Sequence, residues 1–378
     1  MKIYFDNAAT TFPKPEKVAD AVYEYIKNNG MNVGRGDYSL AAEKAVYETR
    51  ELICGLFGFD KPSNVIFTTN VTIALNVVLK GLLKAGDHVL TSAMEHNAVM
   101  RPLTQLLDID VRFDRIPCDE KGRLIWADSL LRCNTRAVVM THASNVCGTI
   151  MPIAEVGKIC AEKGIIFIVD CAQSAGTIQI DMDQMNIDIL CFTGHKGLYG
   201  PQGIGGFIVR DKVAAQIEPL ISGGTGSVSQ LETVPPMLPD RYEAGTLNIP
   251  GIYGLYEGIK FVSETGIENI YRHEMELTKK FLEGIREIEG AKMVGIDGTN
   301  GRTSVVSLQT KDDAAEIAFE LNSRYGIMTR TGLQCAPNAH KTLKTYPQGT
   351  IRFSFGYFNK EEEVDYALKA LKNILTDK

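Results

Sequence analysis

The chain has 378 residues, of which 44% are hydrophobic and 23% are charged, and its formal net charge is −6. This balance is that of an ordinary globular protein, and the length predicts about two domains. The scattered basic residues exclude a basic face for nucleic acid or for an anionic membrane. Asp6 comes before any apolar stretch of signal-peptide length, and no apolar run approaches the ~20 residues of a membrane span. We therefore expect a cytoplasmic protein.

Up to about Gly251, short apolar runs that end in polar or glycine-rich turns alternate with helical stretches. This alternation favours a parallel sheet covered by helices on both faces. Ligands of such sheets bind at the carboxyl ends of strands, so the polar residues found there are candidate site residues. Buried strands are predicted at Val65–Thr68, His88–Thr91, Ala137–Thr141, Ile165–Val169 and Ile189–Phe192, and helices at Thr72–Leu83 and Ile153–Lys163.

After about Gly251 the pattern becomes that of a smaller α+β domain. It opens with a long amphipathic helical region that reaches Gly290 with breaks. The later predictions are a strand at Ser304–Gln309, a helix at Asp312–Tyr325, short strands near Ile327–Arg330 and Ile351–Phe355, and a final helix at Lys360–Leu375.

The eight cysteines show no C-x-x-C pairing, which argues against a zinc ribbon or a thioredoxin-type motif, and no metal site is expected. In a chain of this length they are typical of reduced thiols that fill small core spaces. This interpretation includes Cys171 and Cys191, which continue apolar strands. Cys335 differs, because it lies in a loop flanked by glycine and proline, where reactivity is favoured over packing.

The densest polar cluster, Thr193–Gly203, begins where the apolar run Ile187–Phe192 ends. Lys196 therefore lies in a glycine-rich turn at the carboxyl end of a predicted strand. A lysine held in a low-dielectric cleft has a lowered pKa and can act as an amine nucleophile toward an aldehyde. The alternative is an ordinary surface-loop lysine, which Lys196 taken alone would favour.

The neighbours of Lys196 in the predicted sheet favour the first interpretation. Asp170 ends a buried strand and needs a partner, which the pyridinium nitrogen of pyridoxal phosphate (PLP) supplies. The segment Asn70–Thr72 precedes an apolar-periodic helix and fits a phosphate. His96 follows another strand and is placed to stack on the cofactor ring. Together, in this chain order, these residues predict a PLP enzyme.

At this point the sequence resembles fold-type I PLP enzymes of aminotransferase class V, and within them the Suf-type cysteine desulfurases, a branch that includes the selenocysteine lyases. The lysine and aspartate blocks are specific as a pair, and the spacing Arg-Thr-Gly-x-x-Cys selects desulfurases within the class. The matching segments cover nearly the whole chain: Phe5–Thr10, Arg35-Gly36, Glu95-His96, His142–Asn145, Asp170–Gln173, Gly194–Lys196, Glu243–Thr246, Arg330–Gly332 with Cys335, and Arg352.

The resemblance implies a role for each matching residue. Lys196 forms the internal aldimine with PLP and is catalytic, together with His96, which stacks on the ring, and Cys335. Asp170 pairs with the pyridine nitrogen, and Gln173 approaches the ring hydroxyl. The residues implied to hold the phosphate are Val71, Thr72, Thr193 and His195.

By the same resemblance, Asn145 and Arg352 bind the substrate carboxylate, for which arginine offers a two-pronged fork, and Arg330 is a further substrate-binding residue. The implied reaction converts L-cysteine to L-alanine, with transfer of sulfur to Cys335 as a persulfide. An acceptor protein then takes this sulfur for iron–sulfur clusters or thio-cofactors. The alternatives are a selenocysteine lyase that releases selenide, a class V aminotransferase in which Cys335 is incidental and, more remotely, a non-enzymatic scaffold.

The fold expected from these patterns and the resemblance is α/β, of fold-type I. A large domain at residues 16–262 holds a mostly parallel seven-stranded sheet, and residues 1–15 with 263–378 form a small α+β domain that carries the cysteine loop. A homodimer is implied, in which Thr246 reaches the phosphate bound by the second subunit. The Gly-, Ser- and Pro-rich segment Ser222–Asp240 is either a surface loop or an arm across that interface.

The sequence departs from the Suf-type pattern at three places. Tyr38 stands where that pattern has a histidine soon after Arg35-Gly36, and Leu333-Gln334 stands where it often has two histidines before the cysteine. Both departures bear on substrate preference and on proton transfer. Val71 replaces a usual threonine, which removes a hydroxyl but keeps the backbone N–H.

His340, five positions after Cys335, is interpreted as a solvated loop histidine rather than as a group that polarises the thiol.

Overall fold

A computed structural model describes residues 2–29, 37–228 and 230–376. Arg35-Gly36 and the side chain of Tyr38, which the sequence analysis singled out, lie outside this description. The described residues form the strands β1 (Ile3–Tyr4), β2 (Val65–Thr68), β3 (His88–Ser92), β4 (Arg112–Ile116), β5 (Thr135–Thr141), β6 (Ile166–Asp170), β7 (Ile189–Thr193), β8 (Gly205–Val209), β9 (Ala291–Val294), β10 (Val305–Thr310), β11 (Ile327–Met328), β12 (Arg330–Gly332) and β13 (Thr350–Ser354). Their helices are α1 (Glu16–Glu24), α2 (Asp37–Leu56), α3 (Val71–Leu82), α4 (Asn97–Leu106), α5 (Ile153–Lys163), α6 (Asp211–Ala214), α7 (Ile249–Thr265), α8 (Ile267–Ile285), α9 (Ala314–Tyr325), α10 (Pro337–Thr342) and α11 (Glu361–Thr376).

The central sheet has seven strands in the order β2-β8-β7-β6-β5-β3-β4. Strand β8 runs antiparallel to its neighbours β2 and β7, whereas the other adjacent pairs are parallel. Every residue of β3, β6, β7 and β8 is buried, as expected where helices cover both faces of a parallel sheet. The predicted mostly parallel seven-stranded sheet is confirmed.

Alternate side chains of each central strand enter two different hydrophobic cores. On β6, Phe167 and Val169 join the core on the side of α5, whereas Ile166 and Ile168 join the core on the side of α3 and α4. This follows from the two-residue period of a strand, which points successive side chains to opposite faces. Both faces are therefore apolar, and the polar chemistry is left to the ends of the strands.

A second, antiparallel sheet with the order β12-β13-β10-β9 packs against α8 and α11 around its own core. Strand β1 pairs in parallel with β11, and Asp6 forms an isolated bridge with Ser354 at the end of β13. These contacts connect the chain start to the C-terminal elements, in keeping with the proposed grouping of residues 1–15 with 263–378. The boundaries themselves stay a prediction, and α7 continues past residue 262 to Thr265.

Glycines account for a predicted break in the helical region and for one strand that was not predicted. The long helical region after Gly251 is divided into α7 and α8 at Gly266, whose φ of 85° leaves the helical range. Strand β8 begins with Gly205 and Gly206, which the pattern did not mark as a strand. A Cβ on Gly206 would lie 2.1 Å from the carbonyl oxygen of Ile66, so glycine lets β8 pack closely against β2. Among the described residues, no helix combines the length and apolar character that crossing a bilayer requires.

Candidate active site

Lys196 lies in the turn after β7, at the carboxyl end of the central sheet. Burial lowers the pKa of Lys196 to about 8 because the ammonium loses hydration, and the negative charge of Asp170 partly opposes this shift. Three side chains from the chain start hold this turn. The hydroxyl of Thr11 donates to the Lys196 carbonyl at 3.0 Å, and Thr10 and Lys14 donate to the His195 carbonyl at 3.0 and 2.7 Å. The amine is therefore presented on a fixed backbone.

Asp170, the last residue of β6, is buried at the same edge of the sheet. Its Oδ1 accepts a hydrogen bond from the Ala172 N–H at 2.9 Å. Burial raises the pKa of Asp170, while the Ala172 N–H and the charge of Lys196 favour the ionised form. A cationic hydrogen-bond donor beside this buried carboxylate would stabilise its ionised form.

Thr193 and His195 lie beside the start of α3, and we call the space lined by these residues the polar cradle. Within the described part of the chain, Thr193 Oγ1 and His195 Nδ1 are buried and lack a hydrogen-bond partner. Burial lowers the pKa of His195 to about 4, with added contributions from the charges of Lys196 and Lys14, so its ring is neutral near pH 7. Buried polar atoms are rarely left unpaired, and these two indicate a missing polar ligand.

The start of α3 lies beside this cradle. Gly205 of β8 pairs with Thr193 on one side and Thr68 on the other, and a Cβ on Gly205 would lie 2.9 Å from the Asn70 Cα. Asn70 caps α3 by accepting from the Ile73 N–H at 3.0 Å. The earlier N–H groups of the first turn have no acceptor inside the helix, so this end favours an anion.

Val71 and Thr72 therefore differ in what they can offer. Both contribute backbone N–H groups at the start of α3, but the Val71 side chain is buried and the Thr72 side chain is exposed. The backbone can serve an anion here whichever side chain is present, which is consistent with valine standing where the family pattern usually has threonine.

His96 is the N-cap of α4, a function that the sequence analysis did not identify. Its Nδ1 accepts from the Ala98 N–H at 3.0 Å, so the neutral ring carries its proton on Nε2. Burial lowers the pKa of His96 to about 4, with smaller contributions from the charges of Lys196, Arg101 and Arg352. The ring is thus neutral near pH 7, and the cap contact holds it in place.

Arg352, Asn145 and Asp6 form a polar group beside Lys196. Arg352 Nη1 donates to the Asn145 carbonyl at 2.9 Å, and Nη2 pairs with Asp6 Oδ1 at 2.6 Å. The Nε of Arg352 is buried and, among the described residues, has no acceptor. Asp6 belongs to a segment that matches the family pattern, but its ion pair with Arg352 was not predicted.

Cys335 is exposed, in a loop that is attached to the site by two hydrogen bonds to its backbone carbonyls. The Asn97 N–H donates to the Cys335 carbonyl at 2.8 Å, and Asn145 Nδ2 donates to the Gln334 carbonyl at 2.7 Å. Both Gln334 and Cys335 adopt a positive φ, of 40° and 59°. The two hydrogen bonds place the loop beside the start of α4 and beside Asn145, whose carbonyl accepts from Arg352.

The interpretation of His340 as a solvated loop histidine was wrong. The residue is fully buried, because Pro337 starts α10 directly after the cysteine loop and turns His340 inward. Its ring nitrogens contact Thr345 Oγ1 and Gln334 Oε1, each at 2.7 Å. Neither nitrogen is left to polarise the Cys335 thiol. The expectation that Cys171 and Cys191 are core residues is confirmed.

Three other candidates make no side-chain hydrogen bond with Lys196, Asp170 or Arg352 among the described residues. Arg330 is exposed on β12, where it pairs across the strands with Arg352. Gln173 Nε2 donates to the Ala8 carbonyl at 3.0 Å. Thr246 is exposed, in a segment anchored by Glu243, whose carboxylate pairs with Arg50 and accepts from the Phe67 N–H, both at 2.7 Å. Their proposed roles stay predictions.

The fold and this site agree with the result of a family comparison. The family model described as "Aminotransferase class-V" matches residues 3–367. The chain therefore belongs to the class-V aminotransferase family, which confirms the expected family.

Relatives that match nearly the whole chain are named cysteine desulfurases. A probable cysteine desulfurase of Methanothermobacter thermautotrophicus is 34% identical, over 98% of this chain and 94% of the relative. One of Pyrococcus abyssi is also 34% identical, over 99% and 94%. Among solved structures, the apo cysteine desulfurase of Thermococcus onnurineus has a TM-score of 0.93 at 32% identity, covering 100% of this chain and 95% of that one. An Escherichia coli cysteine desulfurase has a TM-score of 0.88 at 25% identity, covering 99% and 95%.

Proposed function

We propose that this protein is a PLP-dependent cysteine desulfurase that converts L-cysteine to L-alanine and receives the sulfur on Cys335. The observation that carries the proposal is the exposed Cys335 thiol, held by backbone contacts at the edge of the site that contains Lys196 and Asp170. The names of the relatives support the same activity.

The residues around Lys196 fit PLP. When bound, PLP withdraws electrons from the substrate carbon that it holds. Lys196, with a pKa near 8, has a substantial neutral fraction and is the amine for the cofactor aldehyde. Asp170 would hold the pyridine nitrogen, and Thr193 Oγ1 and His195 Nδ1 would hold the phosphate together with the start of α3. The His96 ring, neutral and capped, packs against the cofactor ring.

In the proposed substrate complex, the carboxylate of L-cysteine binds Arg352. This guanidinium is already oriented by Asn145 and Asp6, and its buried Nε is free to donate. The Nη2 contact with Asp6 means that the substrate carboxylate shares the guanidinium with this side chain. Arginine suits this task because its planar fork binds a carboxylate through two parallel hydrogen bonds. Asn145 also holds the Gln334 carbonyl, so one residue serves both the carboxylate site and the cysteine loop.

The proposed reaction uses two side chains of this chain. The substrate amine takes the place of Lys196 at the cofactor aldehyde, and the freed Lys196 Nζ removes the proton from the substrate Cα. The Cys335 thiolate then attacks the substrate sulfur, so that an S–S bond forms as the carbon–sulfur bond breaks. The electron pair of the broken bond stays with the substrate Cβ, which takes up a proton. Lys196 Nζ returns the proton to Cα, and alanine results. Cys335 is left as a persulfide, and no external oxidant is needed.

We also propose that the enzyme is a homodimer in which Thr246 approaches the phosphate held by the second subunit, and that a separate protein accepts the sulfur. The exposed position of Thr246, on a segment anchored by the buried Arg50–Glu243 pair, supports the first proposal. Light scattering that gives the mass of one chain at full activity would contradict it.

The activity is tested by supplying L-cysteine without any 2-oxo acid and measuring alanine. A desulfurase forms alanine under these conditions, and with a reductant present it releases sulfide. A class V aminotransferase stops after one turnover, because its cofactor retains the amino group until a 2-oxo acid removes it. Comparison of L-cysteine with L-selenocysteine under the same conditions determines which chalcogen the enzyme prefers.

A further inference from the structure

We infer that Gln334 and His340 are positioning residues for the sulfur-transfer step, because together they hold the loop that presents Cys335. The inference rests on the proposed function of Cys335. It gives a role to Gln334, which stands where the family pattern often has histidine. It also gives a role to His340, a buried histidine that takes no part in the reaction itself.

The orientation of the Gln334 amide is determined by its neighbours. Its Nε2 lies 3.1 Å from the carbonyl oxygen of Thr350, which can only accept a hydrogen bond. The Nε2 group therefore faces Thr350 in β13, and Oε1 faces His340. Gln334 is 7% exposed, so this amide has no solvent to replace either partner.

The protonation of His340 follows from that orientation. Because Gln334 Oε1 accepts, His340 Nε2 carries the proton and donates at 2.7 Å. Nδ1 then accepts from the hydroxyl of Thr345, also at 2.7 Å. Burial lowers the pKa of His340 to about 4, so the ring stays neutral over the pH range in which such enzymes are assayed. Every polar atom of the two side chains thus has a defined partner.

This buried network contacts the part of the cysteine loop whose backbone is strained, Gln334 and Cys335. Gln334 and Cys335 both occupy the left-handed region, which residues other than glycine adopt only where the surroundings hold them. The side chain of Gln334 is fixed by His340 and Thr350, and its carbonyl is fixed by Asn145. The next carbonyl, that of Cys335, accepts from the Asn97 N–H. Removing the inner contacts would let the loop relax and move the thiol.

Among the described hydrogen bonds, the side chains of Gln334 and His340 do not contact Lys196, Asp170 or the polar cradle. The loop is linked to the carboxylate site through the backbone carbonyl of Gln334, which Asn145 holds and which substitutions of these side chains keep. Loss of the network should therefore slow sulfur transfer and leave cofactor and substrate binding intact. In steady-state terms, kcat should fall while the KM for cysteine and the bound PLP content stay as in the wild type.

The test compares His340→Leu, which removes both ring contacts, with His340→Gln, whose terminal amide can still donate toward Gln334. Gln334→Leu interrupts the network from the other side. The matched control is Thr342→Ala on α10, whose hydroxyl donates to the Asn338 carbonyl of its own helix. All variants are assayed as PLP-loaded full-length enzyme for PLP content, cysteine KM and kcat.

We expect His340→Leu and Gln334→Leu to lower kcat at least tenfold with unchanged KM and PLP content, His340→Gln to recover most of the loss, and Thr342→Ala to behave as wild type. Wild-type kcat in His340→Leu or Gln334→Leu overturns the inference, as does a parallel loss of PLP in both. If one leucine variant does not fold, the other together with His340→Gln decides by the same criteria.

Cys335→Ala is assayed beside these variants. If Cys335→Ala keeps the wild-type rate, the proposed function fails. If Cys335→Ala is inactive while the leucine variants keep the wild-type rate, the positioning inference alone fails.

Discussion

The carbonyl oxygen of Cys335 accepts a 2.8 Å hydrogen bond from the backbone N–H of Asn97, the first residue of α4. The N-cap of the same helix is His96, which we propose to pack on the cofactor ring. One helix start therefore holds both His96 and the loop of Cys335. If both residues have the roles that we propose, this short stretch of backbone sets the distance between the cofactor and the thiol.

Borohydride reduction of the PLP-loaded protein should attach the cofactor to Lys196 and not to Lys14. Lys14 is a stringent comparison, because burial lowers its pKa to about 7 and it lies in the same region. Its amine, however, is occupied by Thr11 and by the His195 carbonyl. Peptide mapping identifies the modified lysine. Lys196→Ala should also lower alanine formation by about 10²–10⁴-fold or more, the usual effect of losing a general base, and a pyridoxyl group on Lys14 would refute the assignment.

Thr193→Val should weaken PLP binding without lowering the thermal stability of the apoprotein. The hydroxyl is buried and unpaired in the described structure, so replacing it by a methyl group removes a polar burial cost from the protein without PLP. A hydrogen bond to the charged phosphate is worth about 1.5–3 kcal/mol, which corresponds to a roughly 10- to 100-fold larger dissociation constant. Fluorescence titration with PLP and the Tm of the apoprotein measure the two effects. A fall in apoprotein Tm with unchanged PLP affinity would show that Thr193 has a structural role instead.

Glu274→Gln should remove a pH dependence of stability. Ser304 Oγ lies 3.0 Å from Glu274 Oε2 and 2.8 Å from the Phe355 carbonyl, and it has one proton for the two acceptors. A protonated Glu274 satisfies both contacts by donating to Ser304. Burial raises the pKa of Glu274 to about 8, in agreement with this arrangement.

The direction in which stability changes with pH follows from the number of protons that the folded and unfolded states bind. Between the unfolded value of 4.5 and the folded pKa of about 8, the native state binds the extra proton, so this group lowers the free energy of unfolding as the pH rises. The difference in stability between Glu274→Gln and wild type should therefore shift in favour of the variant from pH 5 to pH 9. Denaturant unfolding at several pH values measures it, with Glu276→Gln, an exposed position on the same helix, as the control. A difference that is constant with pH would contradict a protonated Glu274.

Cys335→Ala should abolish alanine formation from L-cysteine while PLP stays bound with its normal absorbance. Cysteine sulfur leaves only as a nucleophile takes it, whereas selenium is a better leaving group, so part of any activity on L-selenocysteine should remain. The control is Cys133→Ala, because Cys133 is the other exposed free cysteine in the described part of the chain. Equal rates of alanine formation from cysteine by wild type and Cys335→Ala would instead favour a lyase that does not use this thiol.

The sequence predicted the parts of this site whose residue types carry a pattern. Lys196 and Asp170 each follow a short apolar strand, and parallel strands bring such ends to one edge, so their proximity could be inferred before the structure. The contact between Asn97 and Cys335 could not, because it joins two backbone groups and is independent of side-chain identity. His340 was misjudged because the tight turn into α10, rather than its own neighbours in the sequence, decides that it points inward.

The central claim, that Cys335 accepts the sulfur, is tested most directly by mass spectrometry of the PLP-loaded enzyme after a brief incubation with L-cysteine and no reductant. The account predicts one additional sulfur atom on the peptide that contains Cys335, about one alanine formed per persulfide, and an unmodified Cys133 peptide. Treatment with a thiol reductant should remove the added mass. Alanine formation with Cys335 unmodified, or with sulfur distributed equally over Cys335 and Cys133, would contradict the account.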